Sequence, residues 1–365
     1  MRLGIIGLPQ SGKTTIFNAL TRGDRPVGPA HVSGGGRFEV QTAVVPVPDE
    51  RVDVLTRQFK PRKTIYAQVT YADIAGVEGS EEKGGFSGPL LGQLATMDGF
   101  LHVVRAFDNP IVPHPRGSVD PNRDLAAVDG ELLLNDLLGV ERKLERLAEE
   151  AHKGIVKDKG LHAQETAVFN QLKSALEADR PLRDVTLSLA DEKLLASYQL
   201  LTRKPMLVVF NTGDEAPELA SLPAVTHAHT ASVALQGKLE MEIAQLPADE
   251  AAIFLQEYGI AEPSLNRMIK LSYDLLGLES FFTVGEDEVR AWTVRRGASA
   301  PEAAGEIHTD LQKGFIRAEV ASYADLTRAG GYPELKAEGK LRLEGKEYVV
   351  RDGDILNIRF SPPAK

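Results

Sequence analysis

Residues 7–14 carry the strongest chemical pattern in this chain. They read Gly-Leu-Pro-Gln-Ser-Gly-Lys-Thr and fit G-x-x-x-x-G-K-[ST], between a short apolar run that predicts a strand and a run with helical spacing. Glycines allow a tight turn in which backbone N–H groups face phosphate oxygens at the positive end of the helix. The pattern predicts that Lys13 reaches the β- and γ-phosphates of a nucleotide and that the Thr14 hydroxyl binds Mg²⁺. The expected nucleotide-binding residues here are Pro9, Gln10, Ser11, Gly12, Lys13, Thr14 and Thr15.

A second chemical pattern closes an apolar run at residues 65–74. Asp73 and Gly76 form a D-x-x-G segment. A carboxylate at the carboxyl edge of a parallel sheet can hold Mg²⁺ through water, and the Gly76 N–H would then lie near the γ-phosphate. Val77 follows where Ras-like hydrolases use Gln to orient the attacking water, and a valine side chain cannot hydrogen-bond water. Slow intrinsic hydrolysis is therefore predicted.

Two further segments have residues suited to reading a base and to handling water. Asn211 and Asp214 follow the apolar run 206–210, where N-K-x-D would read guanine, although the Lys is missing. The Asp214 carboxylate could accept the N1 and N2 hydrogens of guanine; the alternative is an ordinary loop, in which Asn and Asp are common. His114 lies in a Pro-rich loop after the apolar run 101–107, where it could position or deprotonate water or be a solvated loop histidine.

Positioning these groups together requires a sheet whose strands end at one edge. Apolar runs of strand length, with helical stretches between several of them, predict an α/β fold with a doubly wound, mostly parallel sheet. Between residues 124 and 204, Leu and Val recur at helical spacing among Glu and Arg, which predicts an inserted helical hairpin; two surface helices of the same core are the alternative. Strand-like runs after residue 280 predict a compact β domain. The predicted division is 1–123, 124–204, 205–279 and 280–365.

Composition excludes several classes of protein. The 365 residues are 42% hydrophobic and 26% charged, which suits a core divided among two or three domains. The absence of cysteine excludes disulfides and thiolate chemistry. A net charge of −10 opposes non-specific wrapping of nucleic acid, so no DNA partner is expected. No apolar run reaches the roughly 20 residues of a membrane span and the phosphate motif begins at once, which predicts a cytoplasmic protein with no membrane partner.

Taken together, these motifs resemble the YchF-type ATPases of the Obg family, which are translation-factor-related P-loop proteins. The resemblance covers nearly the whole chain and is most specific near its C-terminal end. It implies that the last domain is a TGS domain with a ubiquitin-like β-grasp fold, and that the helical insert is the family's coiled-coil arm. The segments that carry it are 4–9, 44–46, 73–76, 102–105, 289–294, 308–310, 314–320 and 343–348.

The resemblance also implies a function. It implies a nucleotide-dependent switch that favours ATP over GTP, uses Mg²⁺ as its cofactor and regulates translation or stress responses. The implied partner is the ribosome, bound through ribosomal RNA or protein by the TGS and helical domains. Val77 matches the hydrophobic residue that the family has in place of the catalytic Gln. Lys13 of the phosphate loop is one predicted catalytic residue. His114 is the other, because the family also carries a histidine in the loop of His114.

Three departures indicate a divergent paralogue within that family. Residues 35–37 read Gly-Gly-Arg where the family's first switch carries a Phe-x-Thr segment, Gln10 replaces an Asn, and Asp214 replaces a Glu. The last change makes guanine recognition more plausible, so ATP and GTP both stay open. Two other functions also stay open: a nucleotide-gated binding module with negligible turnover, and a P-loop kinase, although we find no Arg-bearing lid in the sequence.

Overall fold

The described residues contain two six-stranded sheets, and the structure divides into two compact units. The computed structural model describes residues 1–23, 40–74, 88–213, 221–258 and 260–361. The first unit comprises Met1–Ala43 and Thr70–Met268, and the second comprises Val44–Val69 and Ile269–Lys365. Within the described ranges, no helix has both the length and the apolar character needed to cross a membrane.

The described strands and helices alternate through most of the chain. The strands are β1 (Arg2–Ile6), β2 (Gln41–Pro46), β3 (Lys63–Ile65), β4 (Gln68–Asp73), β5 (Gly99–Arg105), β6 (Met206–Asn211), β7 (Thr230–Leu235), β8 (Leu278–Val284), β9 (Glu288–Arg295), β10 (Phe315–Ser322), β11 (Arg342–Glu344) and β12 (Asp354–Phe360). The helices are α1 (Lys13–Thr21), α2 (Glu50–Phe59), α3 (Gly88–Ala95), α4 (Pro121–His152), α5 (Lys159–Glu177), α6 (Leu189–Leu195), α7 (Gly237–Gln245), α8 (Ala248–Glu257), α9 (Ser264–Leu275), α10 (Ala300–Ile307), α11 (Thr309–Lys313), α12 (Tyr323–Ala329) and α13 (Tyr332–Ala337).

The first sheet has the strand order β2-β4-β1-β5-β6-β7. Strand β1 pairs in parallel with both β4 and β5, and β6 and β7 continue the parallel series. Every residue of β5 and β6 is buried, which explains why the central strands read as largely apolar runs instead of alternating ones. Since parallel strands end at the same edge, the last residues of β1, β4, β5 and β6 all lie there. The predicted α/β class and parallel sheet are confirmed.

The predicted helical hairpin is formed by α4 and α5. Asp120 caps α4 by accepting a hydrogen bond from the Arg123 N–H, and Pro121 occupies the first turn, where its missing N–H costs nothing. The early α4 residues Val128 and Leu132 pack into the core of the sheet. Further along, the helix packs against α5 in a separate hydrophobic cluster that includes Val140, Val168, Phe169, Leu172 and Leu176. The hairpin therefore has a core of its own beyond the sheet.

A buried carboxylate fixes α4 to the chain that returns to the sheet. Asp136 accepts hydrogen bonds from the backbone N–H groups of Leu201 and Thr202 and from the Thr202 hydroxyl, at 2.8, 2.7 and 2.6 Å. Burial raises the pKa of Asp136 to about 6, although these hydrogen bonds act in the opposite direction. Because the carboxylate satisfies three donors, it defines where the hairpin leaves the sheet domain.

The second sheet is mixed and has the order β11-β10-β12-β8-β9-β3. Its core includes Phe281, Val294, Val320 and Leu356 together with the small residues of α10. The predicted β domain at the C-terminal end is confirmed. The predicted single strand at 65–74 is wrong in one respect, because the region contains two strands in different sheets. Strand β3 pairs in parallel with β9, whereas β4 pairs with β1.

Candidate nucleotide site

The phosphate loop joins β1 to α1 and depends on two glycines. Gly7 has a φ of +146°, and a Cβ atom there would lie 2.3 Å from the carbonyl oxygen of Val103. Gly12 caps α1 in the left-handed region with a φ of +98°, and its Cβ would lie 2.1 Å from Nδ2 of Asn211. Any other residue would be strained and would collide at both positions, so the path of this loop requires glycine.

The Lys13 side chain folds back over the same loop. Its Nζ donates hydrogen bonds to the carbonyl oxygens of Gly7 at 2.9 Å and Leu8 at 2.8 Å. The ammonium group therefore adds positive charge where backbone N–H groups are expected to hold phosphate. His102 lies fully buried in β5, and its burial, followed by the charges of Lys13 and Arg183, lowers its pKa to about 3. His102 is therefore neutral at physiological pH.

Asn211 connects the phosphate loop to the next strand–helix junction. Its Nδ2 donates to the carbonyl oxygen of Ser11, and its Oδ1 accepts from the backbone N–H of Gly237, both at 3.1 Å. The residue is 3% exposed, so these bonds are shielded from water. The structure thus brings Asn211, the last residue of β6, to the loop, as its place after the apolar run 206–210 led us to expect, and its amide holds backbone groups there. A base-reading role stays a prediction.

The two expected magnesium ligands both lie at the carboxyl edge of the sheet. Asp73 is the last residue of β4 and pairs with Ile5 near the end of β1, while Thr14 is the second residue of α1. Hydroxyl and carboxylate oxygens are the donors that Mg²⁺ prefers, and one or two of them suffice when phosphates and water complete the octahedron. These residues fit that ion. The described ranges contain no group of three or more His, Cys, Asp or Glu that could hold a metal.

His114 lies in the loop between β5 and α4 and is held on both sides of its ring. Its Nδ1 accepts a hydrogen bond from the Arg116 N–H at 3.1 Å, and its Nε2 lies 2.7 Å from Oδ2 of Asp124. The His114 and Asp124 side chains are each 3% exposed. The expectation of a solvated loop histidine is wrong for this conformation, because Asp124 and the surrounding loop bury the ring. Its role in hydrolysis stays a prediction.

Arg105, the last residue of β5, ties the His114 loop to the phosphate loop. Its guanidinium donates to the carbonyl oxygens of Phe107 at 3.1 Å, Val112 at 2.7 Å and Gln10 at 3.5 Å, and it stacks on the Phe107 ring. Gln10 has a left-handed backbone with a φ of 60°, a conformation that Asn adopts more readily than Gln. Arg105 therefore supports the loop at a strained position.

Sequence reasoning gave no role to Arg105 or Asp124. One signal was available for Arg105, because a charged residue that ends a buried, largely apolar strand must find partners at the sheet edge. For Asp124 the position in the first turn of a helix suggested only a favourable charge at the helix N-terminus. Two predicted site residues, Gly76 and Asp214, lie outside the described residues, as do Val77 and residues 35–37. Their predicted roles are unchanged.

A phosphate loop between the first strand and first helix of a mostly parallel sheet defines this chain as a P-loop nucleoside triphosphate hydrolase. Two relatives are similar over nearly their whole length. The Ribosome-binding ATPase YchF of Bacillus subtilis is 40% identical over 370 residues, covering 98% of both chains. The Obg-like ATPase 1 of Caenorhabditis elegans is 34% identical over 374 residues, covering 100% of this chain and 93% of the relative. The chain belongs to the YchF family.

A solved structure and a family profile agree with that assignment. The structure of the Schizosaccharomyces pombe YchF GTPase is similar with a TM-score of 0.82 and 30% identity, covering 98% of this chain and 97% of that one. The profile YchF-GTPase_C, described as "Protein of unknown function (DUF933)", matches residues 278–361. The predicted family is therefore confirmed.

Proposed function

We propose that this protein is a Mg²⁺-dependent hydrolase that cleaves the γ-phosphate from ATP, with GTP as the alternative substrate. The observation that carries the proposal is the phosphate loop itself, in which Gly7 and Gly12 allow a path open only to glycine and Lys13 lies across the loop. Water attacks the γ-phosphorus, the bond to the β–γ bridging oxygen breaks, and the products are nucleoside diphosphate and inorganic phosphate. The loop N–H groups and Lys13 stabilise the negative charge that is transferred.

Thr14 and Asp73 are the residues that would hold the magnesium ion. When bound, Mg²⁺ supplies charge neutralisation at the β- and γ-phosphate oxygens. The contribution of this chain is the placement of a hydroxyl at the start of α1 and a carboxylate at the end of β4, on the same edge of the sheet. Asp73→Asn should weaken magnesium binding without unfolding the protein. A titration of activity against Mg²⁺ should then show a higher Mg²⁺ concentration at half-maximal activity.

His114 is the proposed group for orienting water, because Val77 cannot do so. Arg105 donates to the carbonyl oxygen of Val112, in the loop of His114, and to that of Gln10, in the phosphate loop. It therefore holds the histidine loop next to the candidate site. His114→Ala should lower kcat about 10²-fold or more, the usual contribution of a positioned acid–base group, and leave nucleotide affinity nearly unchanged. A matched control is His152→Ala, which removes an exposed histidine at the end of α4.

A nucleotide-gated binding module with negligible turnover is the second candidate. It is favoured by one observation, the engagement of both His114 ring nitrogens by Arg116 and Asp124. Phosphate release by the wild-type protein and by Lys13→Ala, each with and without ribosomes, separates the candidates. Rates that match Lys13→Ala in both conditions would eliminate hydrolysis and leave the binding module.

Base preference is decided by direct titration. The preference for ATP is proposed from the relatives, whose names describe ATPases. The nucleotide-free protein would be titrated with labelled ATP and GTP, alongside Asp214→Glu. If Asp214 accepts the guanine hydrogens, the variant should bind GTP more weakly; an unchanged ratio of the two affinities would remove Asp214 from base recognition.

The ribosome is the proposed partner, because close relatives are named as ribosome-binding ATPases. This partner would place the protein in the cytoplasm, where nucleotide state would control docking in translation or stress responses. The tip of the helical hairpin suits RNA, since Lys153, Lys157 and Lys159 are exposed around the turn between α4 and α5. We assign the remaining contacts to the C-terminal domain on the basis of its resemblance to a TGS domain.

Point substitutions test docking better than removal of residues 280–365. That truncation would also delete β9, the partner of β3, and so leave residues 63–65 unpaired. Lys157→Glu combined with Lys159→Glu should reduce co-sedimentation with ribosomes and make the remainder more sensitive to salt. Lys193→Glu combined with Lys238→Glu, at exposed positions on α6 and α7, is the charge-matched control. Equal co-sedimentation of both proteins would exclude the hairpin tip as a docking site.

A further inference from the structure

Helix α8 (Ala248–Glu257) has no buried residue among those whose side chains the structure describes. Ile253, near its middle, is 58% exposed, and Tyr258, its C-cap, is 66% exposed. Phe254 is partly covered by the stacked Tyr258 ring, whose centroid lies 4.3 Å away. A surface helix normally buries an apolar stripe against the core, and that burial supplies most of its stability. More than half of Ile253 is left uncovered by the described chain.

Three carboxylates surround Ile253 on the surface of the helix. Asp249 and Glu250 lie four and three positions before it and Glu257 lies four positions after it, the spacings at which side chains are neighbours on a helix. All three are exposed, and among the described residues no basic side chain forms an ion pair with any of them. Residues 239–266 contain no Lys, Arg or His. The surface around Ile253 is therefore both apolar and acidic.

The helix itself explains two of these acids but not the third. Asp249 and Glu250 lie in the first turn, where a negative charge interacts favourably with the positive end of the helix. Glu257 lies in the last turn, at the negative end, and that turn has no basic residue. Its charge there is unfavourable by about 0.3–1 kcal/mol. A cation supplied by another molecule would relieve this repulsion.

The segment that carries α8 is fixed to α7 at the point where it returns to the sheet domain. The buried Glu240 of α7 accepts a hydrogen bond at 2.7 Å from the backbone N–H of Ser264, the first residue of α9. Gln245, the last residue of α7, donates at 2.8 Å to the carbonyl oxygen of Gly23, just after α1. Both ends of the segment are therefore held, while α8 between them is exposed.

We propose that α8 is a docking helix for a basic protein segment. Such a segment would place an aliphatic side chain on Ile253 and Lys or Arg side chains against the surrounding carboxylates. An apolar centre with a polar, charged rim is the usual anatomy of a protein–protein interface, and an exposed tyrosine such as Tyr258 is typical of one. RNA does not fit, because its phosphates would be repelled by the unpaired carboxylates.

The inference rests on the proposed ribosome partner only for the molecule that carries the basic segment. A ribosome presents basic proteins as well as RNA. The lysines at the hairpin tip suit RNA, whereas the acidic surface of α8 suits a basic protein. The two surfaces therefore fit different components of the same partner.

A synthetic peptide tests the surface without ribosomes. Fluorescence anisotropy would measure binding of a labelled helical peptide of leucine and lysine to the full-length protein. Glu250→Lys combined with Glu257→Lys should weaken binding about tenfold or more, because like charges would then face each other. Glu306→Lys combined with Glu347→Lys, at exposed positions of the C-terminal domain, is the charge-matched control, and it should weaken binding less than about twofold because salt screens distant charges. Equal weakening in the two double variants would overturn the proposal.

The apolar contact is tested separately. Ile253→Ser should weaken peptide binding about fivefold, the effect of losing part of one buried aliphatic side chain. Leu189→Ser, at an exposed position on α6, is the matched control and should bind the peptide as the wild type does. Urea unfolding and nucleotide titration should give wild-type values for both variants. Unchanged peptide affinity in Ile253→Ser would overturn docking through this face.

Co-sedimentation with ribosomes distinguishes a protein partner from RNA. Relative to the charge-matched control, Glu250→Lys combined with Glu257→Lys should co-sediment less if a basic protein binds α8. It should co-sediment more if RNA binds there, because the new lysines would attract phosphate, and that result would overturn the proposal. If the wild-type protein does not co-sediment, the ribosome proposal fails instead, and the peptide titration still decides whether α8 docks a basic segment.

Discussion

Asn211 donates a hydrogen bond from its Nδ2 to the carbonyl oxygen of Ser11, 200 positions earlier in the chain, at 3.1 Å. Its Oδ1 accepts from Gly237, so a single buried amide joins the segments after β1, β6 and β7. Such a bridge makes the shape of the phosphate loop dependent on strands that are distant in sequence. Nucleotide affinity and folding stability should therefore change together when this amide is altered.

Asn211→Ala should lower the free energy of unfolding by about 1–3 kcal/mol, since it leaves buried backbone groups without partners. It should also weaken nucleotide binding, because Ser11 is no longer held. Urea unfolding and nucleotide titration measure the two effects. Asn170→Ala, which removes an exposed amide that donates to Thr166 on α5, should change stability by less than about 0.5 kcal/mol. Equal stabilities for both variants would contradict the bridging role.

Gly12→Ala should abolish nucleotide binding and destabilise the fold. The added methyl group would lie 2.1 Å from Nδ2 of Asn211. The left-handed backbone costs a further penalty of about 1–2 kcal/mol for a residue with a Cβ. Gly139→Ala gives the opposite expectation, because a Cβ there meets nothing within 4 Å in the middle of α4. We expect it to stabilise the protein by about 0.5–1 kcal/mol. Thermal unfolding measures the stability of both variants, and titration measures their nucleotide binding. Nucleotide binding by Gly12→Ala would contradict the requirement for glycine at this position.

Lys204→Met should loosen α3, the helix that follows the D-x-x-G segment. The Lys204 ammonium donates to the carbonyl oxygens of Leu94, Ala95 and Met97 at 2.9, 2.7 and 2.6 Å and so satisfies groups at the C-terminal end of that helix. We expect a loss of about 1.5–3 kcal/mol and faster hydrogen exchange of the amides in α3. Exchange that is faster across the whole first sheet instead would indicate general destabilisation.

Lys204 also predicts a pH dependence with a definite sign. Burial lowers its pKa to about 8, whereas in the unfolded chain it stays near 10.5. Between these values the unfolded state binds more protons, so the contribution of this residue to stability rises with pH. The difference in unfolding free energy between wild type and Lys204→Met should increase from pH 8 to 10. A difference that falls from pH 8 to 10 would show that folding does not lower the pKa of Lys204.

His102 should make the protein sensitive to acid. Its folded pKa of about 3 lies below the ordinary value of 6.5, so between these values the unfolded state binds more protons and stability is lost as the pH falls. The loss can reach about 1.4 kcal/mol per pH unit. Comparing unfolding of the nucleotide-free wild type and His102→Leu from pH 7 to pH 4 isolates this effect. Parallel curves for the two proteins would exclude it.

Several features of the site followed from local sequence because local geometry alone determines them. The phosphate loop was recognisable because Gly7 and Gly12 occupy backbone conformations that other residues avoid, and Lys13 follows at a spacing set by the start of α1. The central strands β5 and β6 were recognisable because burial on both faces leaves only apolar side chains at most positions. The hairpin followed from its helical periodicity.

Other features depended on tertiary structure, because an isolated segment does not carry the information. The run at 65–74 starts at the last residue of β3 and contains β4, and only pairing with β9 or β1 assigns these two strands to different sheets. Asn211 and His114 each follow a buried strand, but their partners Ser11 and Asp124 are chosen by how the loops meet at the sheet edge. Contacts between side chains distant in sequence depend on the packing of the whole domain, whereas the positive φ of Gly7 and Gly12 belongs to the backbone of the loop itself.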